Sequence, residues 1–195
     1  MSPAGATPLL LMPCIAMWCY DAIIVDDVER PVFLECPGDT TISTDALSCS
    51  ASFSFPSAIV SDNCPNTALQ QLGLPSGANF PLGSSVVTFI VNDTSGNRDT
   101  CSFTVTVVDS VAPYFTSCPS DINIELGTQS CDTVVSWSSL SAFDNCSAMI
   151  TQINGLPSGS VFPVGSTLNR FVVTDNAGNT DTCSFTVTVT DNKPP

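Results

Sequence analysis

Four cysteines recur at one spacing. Cys36, Cys49, Cys64 and Cys101 return as Cys118, Cys131, Cys146 and Cys183, every pair offset by the same interval (118 − 36 = 82; 183 − 101 = 82). The register holds between them too: Gly73-Leu74-Pro75-Ser76-Gly77 reappears as Gly155-Leu156-Pro157-Ser158-Gly159, and Phe80-Pro81 as Phe162-Pro163. The chain is therefore a tandem duplication. A unit of about 80 residues is too long for a solenoid repeat and long enough to enclose a small core of its own if cross-links help. The boundaries that follow are 28–109 and 110–191 for two domains, 1–27 for an extended amino-terminal segment, and 192–195 for the start of a further linker.

Ten cysteines in 195 residues, eight of them in the repeated pattern, point to an oxidising compartment, because cytosolic reductants keep such thiols reduced. A zinc-thiolate reading fails on the residues, since there is no Cys-x-x-Cys pair and no histidine. The expected location is extracellular, secreted or at a cell surface. Eighteen acidic residues against Arg30, Arg98, Arg170 and Lys193 give a net charge of −14. That field repels phosphate backbones, so no nucleic-acid partner is expected. For most of these carboxylates, solubility is explanation enough.

Cys101-Ser102-Phe103-Thr104-Val105-Thr106-Val107 alternates apolar and hydroxyl side chains with period two, as does Cys183 through Val189. This pattern predicts strands with one buried face, placing Phe103, Val105, Val107, Phe185, Val187 and Val189 in the core. A second alternating run precedes each, Val87 to Val91 and Phe171 to Val173. It joins the first through Asp93-Thr94-Ser95-Gly96-Asn97 or Asp175-Asn176-Ala177-Gly178-Asn179, whose turn chemistry predicts hairpins. Shorter runs cover Thr40 to Thr44, Ala51 to Phe55, Ile122 to Leu126 and Thr133 to Trp137. About seven short strands per unit predict an all-β chain of two tandem immunoglobulin-like sandwiches, disulfide-stapled.

A Cys-Pro-x-Asp opening, Asp-Asn-Cys, Pro-Ser-Gly-x-x-Phe-Pro-x-Gly, Asp-x-x-Gly-Asn and Cys-Ser-Phe-Thr-Val-Thr-Val occur in that order in both copies. The series resembles the hyalin repeat (HYR) family over residues 28–109 and 110–191. The resemblance implies an extracellular immunoglobulin-like module used in adhesion and in surface or matrix proteins, and names no ligand. In such a sandwich the first and last strands run parallel from one end, which favours Cys36–Cys101 and Cys118–Cys183, with Cys49–Cys64 and Cys131–Cys146 as the remaining pairs. Four cysteines allow three connectivities, and Cys36–Cys64 with Cys49–Cys101 is the alternative.

A hydrolytic triad has no histidine to serve as base, and the cysteines are committed to bridges, so the chain reads as no enzyme. No cofactor is required, but calcium is one site to weigh. The turn after Asp62, the hairpin at Asp93 and the incoming linker at Asp27 share an end of the sandwich. Asp144, Asp175 and Asp109 repeat that arrangement. Three oxygen donors at a domain junction suit a hard divalent cation. The competing account is that Asp-x-x-Gly-Asn is an ordinary turn in which Asp accepts backbone N–H bonds.

The segment from Cys19 to Asp27 matches the register of a last strand (101 − 82 = 19) and follows an apolar run that is too short to span a bilayer. No transmembrane segment is expected. We expect Leu9, Leu10, Leu11, Ile15, Trp18, Ile23 and Val25 to add a strand to a neighbouring copy, linking chains head to tail, or to be left from an upstream repeat. Cys14 and Cys19 can pair with each other. Asn92 and Asn145 stand in glycosylation acceptor triplets. The functional expectation is an extracellular structural repeat, a subunit of a filament, stalk or matrix fibre whose partners are other copies of itself. The alternative is an adhesion module whose acidic apical loops hold surface proteins or glycans.

Overall fold

The computed structural model describes residues 27–63, 68–127 and 131–192. Every regular element among them is a strand. The first module contains β1 (Val32–Glu35), β2 (Thr40–Ser43), β3 (Ser50–Ser52), β4 (Ile59–Ser61), β5 (Ala68–Leu72), β6 (Asn79–Pro81), β7 (Gly83–Asn92) and β8 (Arg98–Val108). The second repeats it with β9 (Tyr114–Ser117), β10 (Ile122–Glu125), β11 (Asp132–Val135), β12 (Ser141–Phe143), β13 (Ala148–Asn154), β14 (Ser160–Pro163), β15 (Gly165–Asp175) and β16 (Thr180–Thr190). Each module has eight strands where the sequence pattern suggests about seven. The strands without a run of their own in the sequence pattern are β1, β4, β5 and β6 and, in the second module, β9, β12, β13 and β14.

One layer of each module is a four-stranded sheet, ordered β2-β8-β7-β5 in the first and β10-β16-β15-β13 in the second. The other layer is made of the strand pairs β1-β4 with β3-β6, and β12-β9 with β11-β14. The last strand has a parallel neighbour in both modules, Thr40 beside Val105 and Ile122 beside Val187. That neighbour is the second strand, because β1 and β9 lie in the opposite layer. The chain changes layers at Cys36-Pro37 and Cys118-Pro119, where proline ends ladder pairing. The Asp of each Cys-Pro-x-Asp opening then accepts from the middle of the last strand, just before the parallel pairing begins: Thr104 N–H donates to Asp39 Oδ1 at 2.7 Å, and Thr186 N–H to Asp121 Oδ1 at 2.7 Å.

Alternation on the long hairpins fills the space between layers. Phe103, Val105, Val107, Phe185, Val187 and Val189 are all buried, as their period-two pattern requires. Phe80 and Phe162 are fully enclosed. Phe55 meets Phe103 edge-on at 4.9 Å, and Trp137 meets Phe185 at 5.0 Å. The Gly-Leu-Pro-Ser-Gly turn begins with a glycine in both copies for a steric reason. Gly73 and Gly155 have φ of +88° and +90°, and a Cβ there would strike the Val86 carbonyl or the Asn169 amide.

Candidate functional site

Two of the expected cross-links are present, Cys36–Cys101 and Cys118–Cys183. Each ties the corner between the layers to the last strand. The expected pairs Cys49–Cys64 and Cys131–Cys146 do not form. Cys49 bonds Cys146 instead, across 97 residues and from one module to the next, and Cys131 is an exposed free thiol. The reason lies in which end of the sandwich each residue occupies. Cys49 lies just before β3, at the end where the chain leaves the module: Thr44 N–H donates to the Val108 carbonyl, and Thr44 Oγ1 donates to Asp109 Oδ1 at 3.2 Å. Asp62, two residues before Cys64, clusters at the opposite end with Asp27. Cys64 lies outside the described residues. The Asp-Asn-Cys loop of one module thus faces the exit end of the module before it.

Asn145, in the middle of that loop, completes the junction. Its Nδ2 donates to Thr44 Oγ1 at 2.9 Å, to the Asp45 carbonyl at 3.0 Å and to the Ser48 carbonyl at 3.3 Å. This nitrogen is the atom a glycan would occupy, so the glycosylation expectation at Asn145 is corrected: the amide is engaged between modules, beside a disulfide. Beside this junction lies a cleft of about 420 Å³, lined by Leu82, Val108, Ser147 and Ala177 among others.

The six singled-out carboxylates come together in two triads. Asp27, Asp62 and Asp93 each place an oxygen within 4.8 Å of the others, as do Asp109, Asp144 and Asp175. The first member comes from the incoming linker, the second from the Asp-Asn-Cys loop, and the third from the end of β7 or β15. Asp93 and Asp175 are buried and held by their own turn. Asn97 N–H donates to Asp93 Oδ1 at 2.8 Å and Ser95 N–H at 2.9 Å, while Asn97 Nδ2 donates to Oδ2. Asn179 serves Asp175 in the same way at 2.8 Å from both its nitrogens. Ordinary turn chemistry and the triad therefore coexist at these residues.

The second members differ in this respect. Among the described residues Asp62 Oδ2 and Asp144 Oδ1 are buried with no hydrogen-bond partner, although Asp144 Oδ2 accepts from the N–H groups of Cys146 and Ser147. A buried, unpartnered carboxylate oxygen among two other acids calls for a positive neighbour. Burial pushes the Asp93 and Asp175 carboxyls up. The donors at Asn97, Ser95 and Gly96, or at Asn179, Gly178 and Ala177, together outweigh it and hold both below 3.8. These two groups are thus kept charged, and each triad gathers three carboxylate oxygens within 4.8 Å of one another, a grouping that could hold a metal ion.

The apolar assembly residues Leu9, Leu10, Leu11, Ile15, Trp18, Ile23 and Val25, with Cys14 and Cys19, lie outside the described residues. Sequence reasoning missed Thr44 at the junction. It named Asn145 as a glycan acceptor and Asn97 and Asn179 as turn residues, without the side-chain hydrogen bonds they make. No helix among the described residues is long and apolar enough to cross a membrane.

The family model for the HYR domain matches residues 26–107 and again 108–189, end to end and with the offset of the cysteines (108 − 26 = 82). The chain belongs to the HYR domain family. It is 36% identical to a hyalin of Strongylocentrotus purpuratus over 187 residues, covering 91% of this chain and 15% of that protein. To a hyalin of Lytechinus variegatus it is 36% identical over 140 residues, or 69% of this chain and 26% of the other. A sushi, von Willebrand factor type A, EGF and pentraxin domain-containing protein of Rattus norvegicus is 26% identical, with 85% of this chain and 5% of that protein covered. HYR modules of this chain thus span only a fraction of these relatives. Among solved structures, titin domains Z1Z2 in complex with telethonin align over 86% of this chain and all of that chain, at 10% identity and a TM-score of 0.42. Sidekick-1 immunoglobulin domains 1–4 align over 82% and 48%, at 15% identity and 0.39.

Proposed function

We propose that the chain is a non-catalytic extracellular repeat of an adhesive or matrix protein, in which calcium and disulfides together fix one module against the next. Three cross-links among the described residues support an oxidising location, and the hyalin relatives support a matrix or adhesion setting. The observation that carries the reading is the coincidence of two devices at one junction. The Asp109, Asp144 and Asp175 triad lies one residue from the Asn145 hydrogen bonds and two from the Cys49–Cys146 bond. Asp109, Asp144 and Asp175 would bind the cation at the junction; Asp27, Asp62 and Asp93 would hold a second at the start of the first module.

That placement favours a structural role over the second reading, in which the acidic loops hold a surface protein or glycan. Asp144 clusters with Asp109, which accepts from Thr44 of the preceding module, and its neighbour Asn145 is already engaged there. Head-to-tail assembly into filaments through residues 1–27 and glycosylation at Asn92 remain part of the proposal.

The test is calorimetry of the full chain with calcium and with a chelator. At calcium a hundredfold above its dissociation constant, linkage raises the melting temperature of each module by roughly 10–20 °C, and Asp144→Asn removes most of that gain from the second module. A melting temperature indifferent to the chelator would eliminate the cation. Electron micrographs of the same material bear on assembly: uniform fibres that vanish when residues 1–27 are deleted support it, and dispersed monomers count against it.

A further inference from the structure

The free thiol at Cys131 occupies the position that Cys49 occupies one repeat earlier (131 − 82 = 49). Cys49 is not free. It holds the Asp-Asn-Cys loop of the following module through Cys146, and Asn145 of that loop is held by carbonyls of the same exit end. We propose that the exit end of the second module is a docking face for another HYR module following in the same polypeptide, and that Cys131 forms a disulfide with the cysteine of that module's Asp-Asn-Cys loop.

The second module carries the same frame for it. Leu126 N–H donates to the Thr190 carbonyl at 2.9 Å, as Thr44 N–H donates to the Val108 carbonyl at 2.9 Å. Both exit ends therefore share this backbone contact with the last strand. Gly127 stands where Asp45 stands, and its carbonyl replaces that of Asp45 because the contact uses only main-chain oxygen. The Thr44 hydroxyl has no counterpart in Leu126, so the second docking face offers one acceptor fewer. Asp191 follows β16 by one residue, as Asp109 follows β8, and is positioned to supply the first carboxylate of the next triad. Cys131 is exposed, as a cysteine awaiting a partner must be.

The chemistry is thiol–disulfide exchange. Two thiols lose two protons and two electrons and form one S–S bond, while a small-molecule disulfide such as oxidised glutathione accepts them and becomes two thiols. The inference rests on reading the chain as part of a repeat array. It is independent of calcium, so a failed calcium test leaves it standing.

The chain can be continued past Pro195 with a second copy of residues 114–191, which keeps the register (195 − 82 = 113). After oxidation with a glutathione pair, peptide mapping without reduction should link Cys131 to the added copy's equivalent of Cys146. Reactivity toward iodoacetamide should move from Cys131 to its equivalent in the added copy. Persistence of the three native linkages reports that the protein has folded. Cys131 still alkylated in that folded protein, or bonded to Cys14, Cys19 or Cys64, would overturn the proposal. A second measurement needs no extension: in the native 195-residue chain, Cys131 should react with iodoacetamide without denaturant, while Cys49 and Cys146 react only after reduction. Protection of Cys131 there would equally sink it.

Discussion

Val87 and Asn169 hold one repeat position (169 − 87 = 82), and both are fully buried, yet one module fills the space with a branched hydrocarbon and the other with an amide. In the second module Asn169 Oδ1 accepts the Leu156 N–H at 3.0 Å and Gln152 Nε2 at 3.4 Å. The aromatic partners change as well. Phe55 of the first module packs against Phe80, Phe89 and Phe103, whereas its counterpart Trp137 packs against Phe162 and Phe185. The features kept identical are the corner disulfide, the Asp that accepts from the last strand, the glycine at the turn and the acid triad. Core filling drifts between copies as long as volume and hydrogen bonding are satisfied, while the parts that set corners and junctions do not.

Cross-links provide the strongest challenge to this comparison. Replacing Cys36 and Cys101 by alanine should cost the first module about 4 kcal/mol on the chain-entropy model, and replacing Cys118 and Cys183 should cost the second the same, because both loops span 65 residues. Unequal losses in denaturant titrations would show that the modules do not share this strut equally. Next come Phe80→Ala and Phe162→Ala, each expected to cost about 3–5 kcal/mol, since both rings are fully enclosed.

The exchanged pair sharpens the contrast at smaller scale. Asn169→Val leaves the Leu156 N–H without its acceptor and should cost about 1–3 kcal/mol, while Val87→Asn buries an amide in the apolar core of the first module and should cost at least as much. A stabilising Asn169→Val would mean that the polar core position is not needed for the turn at Gly155. The smallest effect expected is that of pH. Asp93 and Asp175 have folded-state values below 3.8, so the stability they contribute is fully present above that pH. It is lost as pH falls through the folded value. Melting temperature should be level from neutral pH to about 5 and decline below about 4, with Asp93→Asn and Asp175→Asn each flattening the decline.

Much of this fold could be read from the chain because alternation, turn residues and an internal repeat all signal locally. Phe103 to Val107 and Phe185 to Val189 declare a buried face without any knowledge of the partner layer. The triads were legible for a related reason: each is built from turn residues whose end of the sandwich follows from strand order. The pairing of Cys49 was not legible, since spacing within one repeat cannot distinguish a loop's own module from its neighbour. What decides it is that Asp62 and Thr44 sit at opposite ends, a fact of three-dimensional placement. Among the three- and four-residue strands, β2, β3, β10 and β11 coincide with short runs in the sequence, while β1, β4, β6, β9, β12 and β14 escaped for want of length; the involvement of Asn145 escaped because an acceptor triplet looks the same whether its amide faces solvent or another module.

The three covalent loops overlap in sequence: Cys36 to Cys101, Cys49 to Cys146, and Cys118 to Cys183. Every peptide bond between Cys36 and Cys183 therefore belongs to at least one closed ring. A protease that cuts this stretch once, at any position, opens a ring but releases nothing, and the two fragments separate only when a reductant follows. For a material that persists among secreted proteases, damage tolerance of this sort comes from the order of the cysteines along the chain, whatever the strength of any single fold.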